Sequence, residues 1–228
     1  MTVGTPAVEP FEDAAPGESP IRGFLHRPAS AVTGGLVLTH GAGSDCHAPL
    51  LLALAVAFAA RGVAVLRCDL PYRQARRTGP PRPGDAPRDR EGLKRAVELL
   101  RRRVPARIFL GGQSYGGRQA SMLAAEEPGL AEALLLLSYP LHPPGHATRL
   151  RTAHFPRLRT PALFAHGSAD PFGSVDELEA ARTQIPARTA LIVIEGAGHG
   201  LGRGGRTPGP AAGAVERIVD GLLAFAQA

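Results

Sequence analysis

The chain has 228 residues, 44% of them hydrophobic and 20% charged, which suits one domain whose core needs no disulfide or metal staple and is cramped for two. A formal net charge of +6 and a pI near 10.3 raise the question of a polyanionic partner, yet Lys94 is the only lysine and the arginines are scattered. Without zinc-finger spacing or an aromatic-interleaved basic stripe, nucleic-acid binding is not expected.

Residues 1–20 carry Glu9, Glu12, Asp13 and Glu18 among Pro and Gly, with neither the basic nor the apolar region of a secretory signal. Residues 1–19 are expected to be a flexible N-terminal segment ahead of a single domain over 20–228. From residue 20 onward, strand-like and helix-like patterns alternate, which predicts a mostly parallel twisted sheet with helices on both faces. Residues 21–27 read as an outer strand, and 35–39 as a buried strand running into His40-Gly41-Ala42-Gly43. A helix follows over 47–61, stopped by Gly62, and 63–69 is the next buried strand.

Residues 71–87 are dense in Pro, Gly and Arg and read as a loop; 89–103 then shows Leu93, Val97 and Leu100 at helical spacing. Strand 108–112 leads straight into Gln113-Ser114-Tyr115-Gly116-Gly117, and 118–127 continues as helix. Strands are expected over 133–138, 162–165 and 189–194, helices over 175–185 and 214–226, and a glycine-rich loop over 200–213. No apolar stretch approaches the ~20 residues of a membrane-spanning helix. The cysteines, Cys46 and Cys68, lack metal-ligand spacing and read as free thiols, and the expected compartment is the cytoplasm.

Gly112-Gln113-Ser114-Tyr115-Gly116 has the pattern of a serine held on a strained strand-to-helix turn, where flanking glycines avoid clashes that a Cβ would create. A serine hydroxyl needs a base, and His199 in Gly198-His199-Gly200 lies just past the last strand. The base needs an acceptor, and Asp170, at the end of the strand before, is the best carboxylate; Asp69 precedes the serine in the chain, and Glu195 is only four residues from the histidine. Backbone N–H groups of Tyr115 and Ala42, with Gly43 as the fallback, are the expected oxyanion donors. His40 reads as a buried structural group. Arg73, near the end of the strand before the 71–87 loop, is a candidate to bind a substrate carboxylate. His142, His146 and His154 lack a common helical face, so no metal site is expected.

Together His40-Gly-Ala-Gly43, Gly112-Gln-Ser-Tyr-Gly-Gly117, Gly167-Ser-Ala-Asp-Pro-Phe-Gly173 and Gly198-His199 resemble the small α/β-hydrolases of the dienelactone-hydrolase-like superfamily. More narrowly, the chain is similar to predicted bacterial hydrolases related to the KANL/Tex proteins of eukaryotes. The resemblance spans roughly residues 20–226 and implies an α/β-hydrolase fold and a serine hydrolase acting on a small ester or related acyl bond. Dienelactone hydrolases proper use cysteine as nucleophile, which Ser114 replaces here. Some eukaryotic relatives serve as complex subunits, so a non-catalytic scaffold stays an alternative, as does an acyltransferase or perhydrolase with the same triad. The 139–160 connection is short, so little or no lid is expected. The expected partner is a small-molecule acyl substrate, with no cofactor, no nucleic acid and no membrane, and the oligomeric state stays open.

Overall fold

A computed structural model describes residues 6–14, 20–203 and 209–227. Among the described residues eight strands form one sheet: β1 (Ala7–Asp13), β2 (Ile21–Arg27), β3 (Gly34–Thr39), β4 (Val63–Cys68), β5 (Arg107–Gln113), β6 (Ala133–Leu137), β7 (Ala162–Gly167) and β8 (Thr189–Ile194). Their order is β1-β2-β4-β3-β5-β6-β7-β8; β1 and β2 run antiparallel to their neighbours, and every pair from β4 to β8 is parallel. Strands β3, β4, β6 and β7 are buried along their whole length, as continuous apolar runs between two helical layers must be.

Among the described residues six helices accompany them: α1 (Pro49–Ala60), α2 (Pro71–Ala75), α3 (Asp85–Arg103), α4 (Tyr115–Glu126), α5 (Val175–Arg182) and, after the last strand, α6 (Ala214–Phe225). Leu51, Leu54 and Phe58 of α1 and Ile218 and Leu222 of α6 share one apolar cluster on one sheet face. Leu93, Val97 and Leu100 of α3, Leu123 of α4 and Leu178 of α5 share another on the opposite face. This is the mostly parallel, two-sided architecture expected from the alternating pattern. Gly62, with φ +84°, turns the chain out of α1 as expected. None of the described helices is long and apolar enough to cross a membrane.

Two expectations are corrected. Ala7–Asp13 belong to the sheet rather than to a flexible segment: β1 pairs with β2 from Ala7↔Arg27 to Asp13↔Ile21. The free edge of β2 would otherwise expose a row of unpaired backbone groups. Glu9 and Glu12 close on Arg27 and Arg22 across the strands, Phe11 is buried beneath Arg103, and Pro10 is tolerated because β1 is an edge strand. Residues 1–5 and 15–19 of that expected segment lie outside the described residues. The 71–87 loop is also shorter than expected. It contains α2, which starts at Pro71, and α3 begins at Asp85, ahead of Pro87; proline fits a first helical turn, where its missing N–H has no intrahelical acceptor. Between β6 and β7 the chain makes only a single 3-10 turn, Phe155–Arg157, so no helical lid is inserted there.

Candidate active site

β5 ends at Gln113, and the backbone reverses at Ser114 (φ 51°, ψ −116°) to start α4. Such a φ is costly for a residue with a side chain, and its surroundings hold it there. The Ser114 N–H donates to Leu137 O at 2.8 Å, and its carbonyl accepts the Arg118 N–H at 2.9 Å. Close packing demands the glycines. A Cβ on Gly112 would come within 2.7 Å of the Gly116 and Gly117 backbone, and one on Gly116 within 2.6 Å of the His40 carbonyl.

Three side chains from three strand ends meet at this turn. The Ser114 hydroxyl lies 2.8 Å from His199 Nε2, and His199 Nδ1 lies 2.8 and 3.0 Å from the two oxygens of Asp170. The carboxylate fixes the proton on Nδ1, which leaves the Nε2 lone pair free to accept from the serine. Asp170 follows β7; its carboxylate is fully shielded and accepts the Phe172 N–H at 2.9 Å. Phe172 stacks on the His199 ring, centroids 4.1 Å apart, and Gln113 Nε2 donates to the His199 carbonyl at 3.2 Å, so ring and loop are both held. The structure thus brings together Ser114, His199 and Asp170, while Glu195 stays exposed and Asp69 is occupied with the Cys46 N–H at 2.7 Å.

Ala42, Ser114 and Tyr115 line one cavity of about 270 Å³. Neither the Ala42 nor the Tyr115 backbone N–H has a hydrogen-bond partner among the described residues. The orientation at Ala42 follows from peptide planarity. The Gly41 carbonyl, in the same peptide unit, accepts from His40 Nδ1 at 2.8 Å and from the Tyr72 hydroxyl at 3.2 Å, so the Ala42 N–H points the opposite way. Tyr115 begins α4, and its N–H is one of the donors a helix start leaves unpaired. Gly43, the fallback donor, lines a neighbouring cavity of about 390 Å³ with Asp45, His47 and Arg77.

His40 is fully buried. Its Nε2 accepts the Leu70 N–H at 3.1 Å while Nδ1 donates to Gly41, and burial holds it below the ordinary histidine range, which makes it the structural group expected. Arg73 departs from expectation. Its guanidinium is spent on backbone carbonyls: Nε on Ser44 at 2.8 Å, Nη1 on Arg76 at 3.3 Å, and Nη2 on Ala42 and Gly79 at 3.1 Å each. It clamps the 41–44 turn, and it is not among the residues lining the cavity at Ser114 where a substrate anchor was expected. Tyr72, on the same short helix, adds its hydroxyl to the Ala42 carbonyl at 2.9 Å. Asp89 of α3 was not singled out from the sequence; buried, it accepts from the Tyr115 phenol and the Tyr72 N–H, and the only hint was an acid at the head of an amphipathic helix.

A second serine–histidine contact, Ser121 Oγ to His154 Nε2 at 2.8 Å, has a different character. Both residues are buried, and the Ser121 hydroxyl donates to the Arg118 carbonyl, so His154 Nε2 is the donor in their contact. Burial, with Arg118, Arg157 and Arg90 nearby, lowers His154 to about 4. His142 instead reaches Glu177 at 3.3 Å, and among the described residues no three metal-ligating side chains converge. Burial raises the Cys46 thiol to about 12 and pushes Cys68 up as well, so neither offers a thiolate at neutral pH.

A family model described as an alpha/beta hydrolase domain matches residues 33–227. Among solved structures, the chain is similar to a dienelactone hydrolase from Anabaena variabilis, with a TM-score of 0.73 and 22% identity over 97% of this chain and 96% of that one. It is also similar to an alpha-beta serine hydrolase homologue from Coxiella burnetii, with a TM-score of 0.72 and 20% identity over 94% of this chain and 97% of that one. TT1662 from Thermus thermophilus matches with a TM-score of 0.70 and 25% identity, over 97% of this chain and 99% of that one.

Proposed function

The chain belongs to the alpha/beta hydrolase domain family, and from that premise we propose that it is a carboxylesterase-like serine hydrolase cleaving a small ester or related acyl bond. In the proposed cycle Ser114 Oγ attacks the acyl carbon as His199 Nε2 takes its proton, and Asp170 stabilises the imidazolium. The oxygen of the tetrahedral intermediate takes up negative charge beside the Ala42 and Tyr115 N–H groups. The carbon–leaving-group bond then breaks, His199 returns the proton to the departing alcohol, and the acyl group stays on Ser114. Water, deprotonated by the same histidine, attacks that ester; the serine regains its proton and the acid leaves. Atoms and charge balance without a cofactor.

The observation that carries this reading is the continuous relay from Asp170 through His199 to Ser114, with contacts of 2.8 Å on either side of the ring. The α4 start adds unpaired N–H groups and the positive end of the helix dipole at the serine. Two free, buried cysteines suit a reducing compartment, and we propose the cytoplasm. The test is hydrolysis of short p-nitrophenyl esters by the protein and by Ser114→Ala. Turnover that falls by about 10⁴-fold or more in the variant supports the reading. A folded protein with no Ser114-dependent turnover on any ester favours a non-catalytic scaffold, and turnover only with an added alcohol or peroxide acceptor favours acyl transfer.

A further inference from the structure

Arg118 lies in the first turn of α4, four residues after Ser114. Both line the 270 Å³ cavity, and Arg151 lines it too. The Arg118 guanidinium has no hydrogen-bond or ion-pair partner among the described residues, and its Nε is shut off from solvent. The Arg151 side chain makes one long bond, Nη1 to the Pro140 carbonyl at 3.4 Å. Among the described residues no Asp or Glu lines the cavity; the rest of its wall beyond Ser114 and the two donor residues is Pro80, Pro81, Pro140 and Phe172.

Partial burial sets Arg118 apart from the other described arginines without a side-chain partner, such as Arg149, Arg159 and Arg217, which are exposed. Other arginines withdrawn from solvent find partners: Arg90 closes on Glu126, Arg182 on Glu179, and Arg73 on backbone carbonyls. Arg118 and Arg151 instead repel each other, and burial together with Arg118 draws Arg151 below the ordinary arginine range. A partly desolvated guanidinium without a counter-charge carries an uncompensated cost, which an incoming anion relieves. The site is also pre-formed. The Arg151 backbone is pinned at both groups, its N–H on the Leu141 carbonyl and its carbonyl on the Tyr139 hydroxyl at 2.7 Å.

We propose that this cavity takes an ester whose acyl chain ends in a carboxylate, the carboxylate being bound by Arg118 and Arg151 while the ester carbonyl meets Ser114. Guanidinium forks match a planar carboxylate in two-point contact, and the apolar proline wall offers no competing donor. At roughly 30 Å³ per water-sized unit, the volume holds about nine such units, which suits a hemiester of a short dicarboxylic acid rather than a long fatty acyl chain. The proposal rests on the serine-hydrolase reading and names its substrate class.

Two measurements test it, one of them independent of turnover. First, kcat/KM is compared for the mono-p-nitrophenyl ester of glutaric acid and for p-nitrophenyl valerate, its neutral counterpart, with the unaltered protein, Arg118→Gln, Arg151→Gln and the remote control Arg217→Gln. The expected result is a preference for the hemiester that each cavity variant reduces about tenfold or more relative to its effect on the neutral ester, while Arg217→Gln keeps the preference. No preference in the unaltered protein, or equal losses on both esters, overturns the proposal. Second, monomethyl glutarate is titrated calorimetrically into Ser114→Ala protein and into the same protein carrying Arg118→Gln. Binding that weakens about tenfold or more with the second substitution supports the anion site even if no ester is turned over, and binding unaffected by it, or none in either protein, overturns the site while leaving the fate of Ser114 to the esterase assay.

Discussion

The Tyr115 phenol donates to Asp89 Oδ2 at 2.7 Å, tying the residue after Ser114 to a carboxylate buried in α3. Asp89 Oδ1 accepts the Tyr72 N–H at 3.0 Å, and the Tyr72 hydroxyl in turn holds the Gly41 and Ala42 carbonyls. One buried acid thus supports both backbone segments that supply the proposed oxyanion donors.

Asp89→Ala is expected to lose about 2 kcal/mol of stability, because the Tyr72 N–H and Tyr115 hydroxyl are left unpaired, and to lower kcat more than it raises KM. Asp89→Asn keeps an acceptor for Tyr72 and presents its amide to the Tyr115 oxygen, and it recovers most of both. Urea unfolding with ester kinetics on the two variants checks this. An unaltered kcat in folded Asp89→Ala contradicts the positioning role.

Arg73→Gln removes the clamp on the carbonyls of 42, 44, 76 and 79. Rates on neutral and anionic esters are expected to fall together, and Arg73→Lys not to restore them, since a compact ammonium cannot span carbonyls on both sides. Steady-state kinetics on an ester pair differing only in charge decides the matter; a loss confined to the anionic ester returns Arg73 to the role of substrate anchor.

Gly116→Ala puts a methyl group within 2.6 Å of the His40 carbonyl and 2.7 Å of Thr39 Cγ2, in the packing that holds the Ser114 turn. The expected cost is about 3 kcal/mol, with loss of activity. Gly43→Ala meets no atom within 4 Å and is expected to change stability by less than about 0.5 kcal/mol. Comparing their urea midpoints at unchanged m-value tests the assignment of strain to the turn.

His26 and His154 are both lowered to about 4, by burial first and then by neighbouring arginines; Arg67 Nε donates to His26 Nε2 at 2.7 Å. Once unfolded, each titrates near 6.5, so between those values the unfolded chain binds more protons and stability falls as pH drops from about 6.5 toward about 4. Each histidine contributes up to about 3 kcal/mol to that loss. Unfolding free energies measured every half unit from pH 7 to pH 4.5 are expected to decline, and His154→Gln to make the decline shallower by up to about 1.4 kcal/mol per pH unit. An unchanged slope in that variant contradicts a neutral buried His154.

The alternation of strands and helices along the chain and the elbow were legible because their physics is local. A buried apolar run ending in Gly112-Gln113-Ser114-Tyr115-Gly116 encodes its own turn, and Asp170 and His199 sit at strand ends that a parallel sheet must gather along one edge. β1 was not legible: Glu9, Pro10 and Glu12 hide its pairing, which depends on arginines ten and eighteen residues away. Arg73 and Arg118 show the same boundary from two sides. Position along the chain suggested a substrate partner for Arg73 and none for Arg118, and what separates them is the supply of carbonyls around Arg73 against the apolar cavity wall around Arg118, both products of tertiary packing.

The central claim is that Ser114 is a nucleophile activated by His199. Intact-mass spectrometry after incubation with a fluorophosphonate tests it most directly. One covalent adduct, mapped to Ser114, absent from Ser114→Ala and formed far more slowly in His199→Ala, is the result this account predicts; a folded protein that gains no adduct, or gains one at another residue, contradicts it.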